Sequence, residues 1–265
     1  PLDYTNKSKL ADSANHNAFS KADAETVENL IEVAETQGIA VYAPLQGKNI
    51  GPLSVASPSE EFYETLVKGG LKRQGGLLAR VKSKISELIN LMDADWDKDA
   101  LYDFPATSVC NESSTVLFGS LVVDKNKFLL TADAGIEALS EVYSYLEENL
   151  NFRSGTLNFI QMPHHGGRHN VNNATLNQLL GSKLSRNSHE IRGNTFACVA
   201  KEASDYPRKS IINAFMTRGY HYPFNENEEP QRHDSMRHVI GDMPKREGWG
   251  PLSNRAPFFD KVESL

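Results

Sequence analysis

The sequence predicts an α/β domain, because short apolar strands alternate with amphipathic helices from residue 113 onward. The clearest strands are STVLFGSLVV and KFLLTAD, which are joined by DKN as in a hairpin. The helix GIEALSEVYSYLEENL follows them, with its apolar residues at helical spacing. Polar residues come directly after two of the predicted strands, and ligands in α/β folds bind beyond the carboxyl ends of strands. A functional site is therefore expected at these strand ends.

The remaining elements are predicted from apolar periodicity and from turn residues. Short strands are expected at IAVYAP (39–44), LSVASP (53–58), TLNFIQM and TFACVA. Helices are expected before Gly38 and at NNATLNQLLG. Another is expected at SPSEEFYETLVKGG, with Ser57 or Ser59 as the N-cap and with Gly69 and Gly70 ending the helix. A further helix is expected at PRKSIINAFMTRGY, with Pro207 near its first turn.

The chain is expected to form one domain over residues 1–224, with residues 71–109 as an irregular insertion. Within the insertion, LLARVKSKISELINLM has helical periodicity, whereas DADWDKDALYDFPA is acidic and irregular. Residues 225–265 are polar and rich in turn residues, so we expect them to pack as a tail on the domain.

The composition is that of a water-soluble globular protein. The chain has 265 residues, 39% hydrophobic residues and a net charge of −6, and no apolar run approaches the ~20 residues of a spanning helix. The negative charge argues against non-specific adhesion to nucleic acid but is compatible with a local basic groove. Only Cys110 and Cys198 occur, without a CxxC motif, which fits a reducing compartment. We expect a cytoplasmic location and no membrane segment.

The first polar stretch is FLLTADAG, residues 128–135, in which Asp133 follows an apolar strand and precedes a helix. One interpretation is a helix N-cap, because an aspartate there accepts hydrogen bonds from backbone amides. The other interpretation is a metal ligand, since the small residues beside Asp133 allow an ion to approach closely. The sequence leaves both interpretations open.

The second polar stretch is FIQMPHHGGRHN, residues 159–170, which runs from an apolar strand into two adjacent histidines. Neutral imidazole is the commonest protein ligand for metals of intermediate softness. Because adjacent residues of an extended chain point to opposite sides, only one of His164 and His165 is expected to bind the ion. His169 and Asn170 are candidates for groups at the rim.

The order NESSTVLFGS, FLLTADAG and LNFIQMPHHGG resembles the metallo-β-lactamase superfamily, in particular its competence-protein (ComEC-like) branch. The branch has an Asn-x-x-Ser strand, an apolar strand ending in Thr-Gly-Asp and another ending in His-His-Gly-Ser. The resemblance covers residues 111–220, and more loosely 20–70, where VASPSEEFYETL is similar to a Ser-Pro strand-to-helix step. It implies the C-terminal half of an αββα sandwich, together with a connecting segment.

The resemblance also implies chemistry. Asp133 would be the carboxylate that bridges two metals, and His165, or otherwise His164, would be the ligand from the later strand. The cofactor would be Zn²⁺, two ions in the complete protein, with Mn²⁺ as the other choice. A metal-activated water would then hydrolyse a phosphodiester, by analogy with the branch a nucleic acid. The outer, substrate-binding groups would be Asn111, His169, Asn170 and Tyr206.

The chain departs from the family at three places. It lacks the His-x-His-x-Asp-His motif of the N-terminal half, so its partner would be an upstream half of the same protein. The glycine of Thr-Gly-Asp is Ala132, and the histidine of Gly-His-Pro is replaced by Tyr206 in SDYPRKS. A tyrosine hydroxyl can still hydrogen-bond to a substrate.

These departures keep two other functions open. One is a non-catalytic scaffold or regulatory module with an incomplete metal site, and the other is a lactonase-like ester hydrolase. Two further segments contain residues that could form a site. RHDSMRH (232–238) is interpreted as a solvated polar tail rather than a metal site, and KRQGGLLARVKSK (72–84) either contacts phosphates or is a solvated helix face.

Overall fold

The computed structural model describes residues 21–73, 91–97, 101, 107–122, 125–199, 205–223 and 258–263. None of the helices in this described part is both long and apolar enough to cross a membrane. The helices are α1 (Lys21–Thr36), α2 (Glu60–Arg73), α3 (Val109–Glu112), α4 (Ile136–Leu150), α5 (Asn173–Leu180) and α6 (Lys209–Met216). The strands are β1 (Asn49–Ile50), β2 (Leu53–Ser57), β3 (Leu91–Asp93), β4 (Val116–Val122), β5 (Lys125–Leu130), β6 (Phe159–Gln161), β7 (Gly193–Phe196), β8 (Tyr220–His221) and β9 (Lys261–Glu263).

A mixed sheet organises the fold and confirms that the chain is an α/β protein. Within the described residues it has seven strands in the order β1-β2-β4-β5-β6-β7-β8. The pairs from β1 to β5 are antiparallel, as the predicted hairpin of β4 and β5 requires. The pairs from β5 to β8 are parallel, and α4, α5 and α6 connect them in turn. The parallel half therefore places the carboxyl ends of four strands at one edge of the sheet.

The hydrophobic core lies between one face of this sheet and the apolar sides of α4, α5 and α6. Helix α4 contributes the residues that its periodicity predicts, because positions three and four apart share one face. Burial of each large apolar side chain stabilises the fold by about 1.5–3 kcal/mol. The core includes Val116, Leu129 and Ile160 from the sheet, Leu139, Val142 and Leu146 from α4, Leu176 and Leu179 from α5, and Ile211 and Phe215 from α6.

A second, two-stranded sheet and contacts with α6 hold the last described residues, 258–263, against the domain. Strand β9 pairs antiparallel with β3, and Val262 in β9 is fully buried. The side chain of Asn213 in α6 exchanges hydrogen bonds with the backbone of Phe259, at 2.8 and 3.0 Å. Glu263 accepts a hydrogen bond from the amide of Lys209 (3.1 Å), in the first turn of α6. The predicted polar tail thus includes a strand, while residues 224–257 lie outside the described residues.

Several predicted boundaries are wrong. Residues 39–44 form no strand, because no strand among the described residues pairs with them and most of their side chains are exposed, as at Tyr42 (83%). Helix α2 does not stop at Gly69 and Gly70 but continues through them to Arg73. Each glycine costs only about 1 kcal/mol in a helix, and neither adopts the positive φ that would end one.

The later boundaries shift by a few residues. Strand β7 is Gly193–Phe196 rather than TFACVA, since pairing with β6 and β8 is confined to that stretch. The periodic segment of the insertion does not end as a helix, because Leu91 and Met92 belong to β3. Residues 74–90 of that segment, most of KRQGGLLARVKSK and all of RHDSMRH lie outside the described residues.

Candidate metal centre

The candidate centre lies at the carboxyl ends of β5 and β6, which are parallel neighbours. Parallel neighbours end at the same edge of a sheet, so the loops that follow them meet. Asp133 lies in the loop after β5, and His164 and His165 lie in a 3-10 turn (Pro163–Gly166) directly after β6. The fold therefore brings together the two polar stretches singled out in the sequence.

The loop that carries Asp133 is held by the last residue of β6 and by a residue that follows this strand. The side-chain oxygen of Gln161 accepts hydrogen bonds from the amides of Thr131 (3.2 Å) and Ala132 (3.3 Å). Asn170 donates from Nδ2 to the carbonyl oxygen of Asp133 (2.9 Å). Ala132 has a φ of 47°, a left-handed conformation that costs a residue with a Cβ about 1–2 kcal/mol. Strain of this kind clusters at functional sites.

Asp133 is not the N-cap of α4, so that interpretation is wrong. The N-cap is Gly135, which has no side chain to supply a capping hydrogen bond. Instead, the buried carboxylate of Glu112 accepts a hydrogen bond from the amide of Ala138 at 2.9 Å. Because another carboxylate satisfies the helix end, the side chain of Asp133 is available to a ligand.

The histidine turn has an unusual backbone. His164, His165 and Gly166 all have positive φ, at 45°, 62° and 82°. The amide of His164 donates to the carbonyl oxygen of Ala132 (3.0 Å), which joins this turn to the loop of Asp133. The chain is not extended here, so the argument that adjacent side chains diverge does not apply. Both imidazoles lie on the same side as Asp133.

The three side chains are spaced as ligands of one ion would be. One potential ligand atom from each of Asp133, His164 and His165 lies within 4.8 Å of the other two. His164 Nδ1 and Asp133 Oδ1 are 3.5 Å apart, and two ligand atoms each about 2.0–2.2 Å from a tetrahedral zinc are about 3.3–3.6 Å apart. Two imidazoles and a carboxylate suit zinc, with further positions left for water or substrate.

A backbone carbonyl orients His165, and Asn111 lies beside His164. His165 Nδ1 is hydrogen-bonded to the carbonyl oxygen of Cys198, and a carbonyl only accepts, so Nδ1 carries the proton and Nε2 keeps its lone pair. Asn111 Nδ2 lies 3.5 Å from His164 Nδ1 and donates to Thr107 Oγ1 at 2.9 Å. Asn111 thus lies where the sequence predicts, beside a candidate ligand.

The expected substrate-binding residues divide into two groups. The ring of Tyr206 meets that of His165 edge to face, with centroids 6.4 Å apart, so Tyr206 belongs to the rim. Asn170 is only 1% exposed, and its amide holds the loop of Asp133 rather than facing solvent. It is better described as a positioning residue than as a rim group.

His169 lies within the electrostatic field of the centre. Its pKa is lowered from the usual 6.5, first by burial and then by the positive charges of Arg168 and Arg208. The imidazole of His169 is therefore neutral at pH 7 and can accept a hydrogen bond or a proton.

Sequence reasoning missed four residues of this region. Gln161 holds the loop of Asp133, Glu112 caps the helix that follows this loop, and Arg168 and Arg208 lower the pKa of His169. Gln161 gave a usable signal, since it is a polar residue within the apolar strand FIQM. The role of Glu112 depends on a contact with α4 that no local pattern indicates.

The carboxylate of Glu112 offers a test of how the Asp133 loop is supported. We expect Glu112→Ala to lower the free energy of unfolding by about 1–3 kcal/mol, because the buried amide of Ala138 loses its acceptor. Glu112→Gln keeps an acceptor oxygen and should cost less. Urea denaturation of both variants, beside Glu148→Ala at an exposed position of α4, the helix that Glu112 caps, measures the difference. Equal stability of the Glu112→Ala and Glu148→Ala variants would contradict it.

Comparison of the chain with family models, with curated proteins and with solved structures finds no match in any of the three. Function is therefore inferred from the geometry of the chain itself. That geometry is a carboxylate and two imidazoles gathered at the carboxyl edge of a mixed α/β sheet.

Proposed function

We propose that the chain binds a divalent metal, zinc or manganese, through Asp133, His164 and His165, and that it is a metal-dependent hydrolase of phosphodiesters. The observation that carries the proposal is the gathering of these three ligand atoms within 4.8 Å. When bound, such an ion lowers the pKa of a coordinated water and so supplies hydroxide near neutral pH.

The residues of the chain divide the remaining tasks. Asp133 and the two histidines bind the ion, and the carbonyl oxygen of Cys198 fixes the orientation of the His165 imidazole. The side chains of His164 and Asp133 are 34% and 45% exposed, so a substrate can reach the centre from solvent.

We also propose that the chain belongs to the metallo-β-lactamase superfamily. The motif order Asn-x-x-Ser, Thr-Ala-Asp and His-His-Gly-Gly, carried by a mixed sheet with the polar residues at its carboxyl edge, supports the metallo-β-lactamase fold in its competence-protein branch. The described residues supply three ligands, enough for one ion. Under this proposal, the ligands of a second ion come from an upstream half of the same protein.

The test combines metal content with hydrolysis. Elemental mass spectrometry on this chain and on the longest natural form should find at least one equivalent of zinc or manganese. The metal-loaded protein should hydrolyse bis(p-nitrophenyl) phosphate, and chelation should abolish this activity. Absence of stoichiometric metal from both forms would overturn the proposal and favour a non-catalytic scaffold. Metal binding with hydrolysis of lactones alone would favour a lactonase.

A further inference from the structure

The amphipathic helix α1 exposes most of its apolar stripe. Val27, Leu30 and Val33 are three residues apart and share one side of the helix, and Leu30 and Val33 are 64% and 61% exposed. Among the described residues, the hydrophobic core includes no side chain from α1. Packing of an apolar face supplies most of the stability of a helix in a protein, and a lone helix of this length is marginal in water. The stripe on α1 is therefore suited to a partner.

The apolar surface continues beyond the end of α1. Gly38 has a φ of 68°, and the amide of Ile39 donates to the carbonyl oxygen of Ala34 at 2.8 Å. This end geometry brings an apolar residue after the glycine into contact with the last turn of the helix. We call the combined patch the α1 surface, and each of its six side chains is at least 40% exposed. They are Val27, Leu30, Val33, Ile39, Val41 and Tyr42.

The α1 surface is fixed to the domain at its C-terminal end. The amide of Gln46 donates to the carbonyl oxygen of Pro58 at 2.8 Å, and its side chain donates to the carbonyl oxygen of Ala56 at 2.8 Å. Ala56 belongs to β2, and Pro58 directly follows this strand. A partner that binds the α1 surface is therefore connected to the main sheet through β2.

One flank of the stripe on α1 is acidic. Glu28, Glu32 and Glu35 are four and three residues apart, so they lie along one side of the helix, beside Ile31. Within the described part of the chain, none of these three carboxylates forms an ion pair. The sequence from Ala22 to Gly47 contains five acidic residues and no lysine, arginine or histidine. The α1 surface thus combines apolar side chains with negative charge that no cation of this segment balances.

This combination distinguishes between possible occupants. A second copy of α1 would bring its own carboxylates to the interface, and like charges that face each other are destabilising. Nucleic acid and anionic lipid surfaces are negative and would be repelled. A helix with an apolar stripe bordered by lysine or arginine matches both features, because its apolar side covers the stripe and its cations meet the carboxylates.

We propose that the α1 surface is the docking site for a basic amphipathic helix of a partner protein. The apolar side chains supply the buried contact, with Leu30 near its centre, and the glutamates select helices that carry lysine or arginine on the matching side. Docking is independent of the candidate metal centre, since no residue of the α1 surface belongs to the ligand set.

The test uses two synthetic helical peptides of about 14 residues with leucine at helical spacing. One peptide has lysine at its polar positions and the other has glutamate. Fluorescence anisotropy with the full chain should show binding of the lysine peptide, and binding of the glutamate peptide should be at least about 10-fold weaker. Leu30→Gln should weaken binding of the lysine peptide by about 10-fold or more, because glutamine favours the helix but removes the apolar contact.

Matched variants separate the apolar and charged contributions. Ile191→Gln changes an exposed apolar residue outside the α1 surface and should bind the lysine peptide like the wild type. Glu28→Gln/Glu32→Gln should bind it several-fold more weakly and with a smaller salt dependence. Glu61→Gln/Glu148→Gln removes two exposed charges elsewhere, has the same net charge and should match the wild type.

Three results would overturn the proposal. The first is that the wild type binds neither peptide, or binds both equally. The second is that Leu30→Gln binds the lysine peptide as tightly as Ile191→Gln does, with Val33→Gln as the repeat at a second position. The third is that the chain alone sediments as a dimer that Leu30→Gln dissociates, which would assign the α1 surface to a second copy. Circular dichroism checks that each variant keeps its helix content.

Discussion

Asp133→Ala should lower the affinity of the chain for zinc by about 100-fold or more. The carboxylate is the one anionic member of the set of three ligands, and the two imidazoles cannot compensate for its charge. Removal of groups that only orient a ligand already costs about 10- to 100-fold in metal affinity, so loss of a ligand should cost at least as much. Competition with a chromophoric chelator measures the change.

The companion variants make this expectation specific. His164→Ala and His165→Ala should lose affinity to a similar degree, because both imidazoles lie within the same group of ligand atoms. Asp97→Ala removes an exposed carboxylate of the same size and should bind zinc like the wild type. If Asp133→Ala and Asp97→Ala bind zinc equally well, Asp133 is not a ligand. If only one histidine variant loses affinity, the centre has a single imidazole ligand, as the sequence alone suggested.

The second large effect is expected at Gly166. Its φ of 82° is costly for any residue with a Cβ, and an added Cβ would overlap the Cβ of Pro207 and lie 3.0 Å from its Cα. We expect Gly166→Ala to lower the free energy of unfolding by about 2–4 kcal/mol, the sum of the conformational cost and of overpacking. Zinc affinity should fall as well, because the histidine turn must move away from the segment of Tyr206 and Pro207.

Gly51→Ala is the matched control for this steric argument. Gly51 also has a positive φ, 59°, but a Cβ there would have no neighbour within 4 Å. Gly51→Ala should therefore lower the free energy of unfolding by only about 1 kcal/mol and leave zinc affinity unchanged. Urea denaturation and the chelator assay on both variants separate the two contributions. An equal loss of stability in both would show that contact with Pro207 is unimportant.

The spacing of apolar residues along the sequence correctly predicted helix α4 and the hairpin of β4 and β5. Helix α4 follows from apolar residues three and four apart, and β4 and β5 follow from two apolar runs separated by a short polar turn. The same logic placed Asp133 and the histidines at strand ends. Pairing of β5 with β6 then made those ends neighbours, as expected for an α/β sheet.

Contacts between distant parts of the chain account for what the sequence did not predict. The cap of α4 is supplied by Glu112 rather than by Asp133, the adjacent candidate. The positive φ of His164 and His165 depends on the hydrogen bond to Ala132 and on the loop around Pro207, and no propensity of histidine indicates it. The residues 39–44 resemble a strand locally but have no partner in the described sheet.

The pairing of β3 with β9 also affects the order in which parts of the chain can fold during synthesis. Residues 258–263 leave the ribosome after every strand of the seven-stranded sheet, because the last of these, β8, ends at His221. A nascent chain that lacks them already contains Asp133, His164 and His165 but lacks the carboxylate that caps Lys209 at the start of α6. Closing so long a loop is entropically costly and occurs late. The three candidate ligands are therefore synthesised before the start of α6 acquires its contact with Glu263.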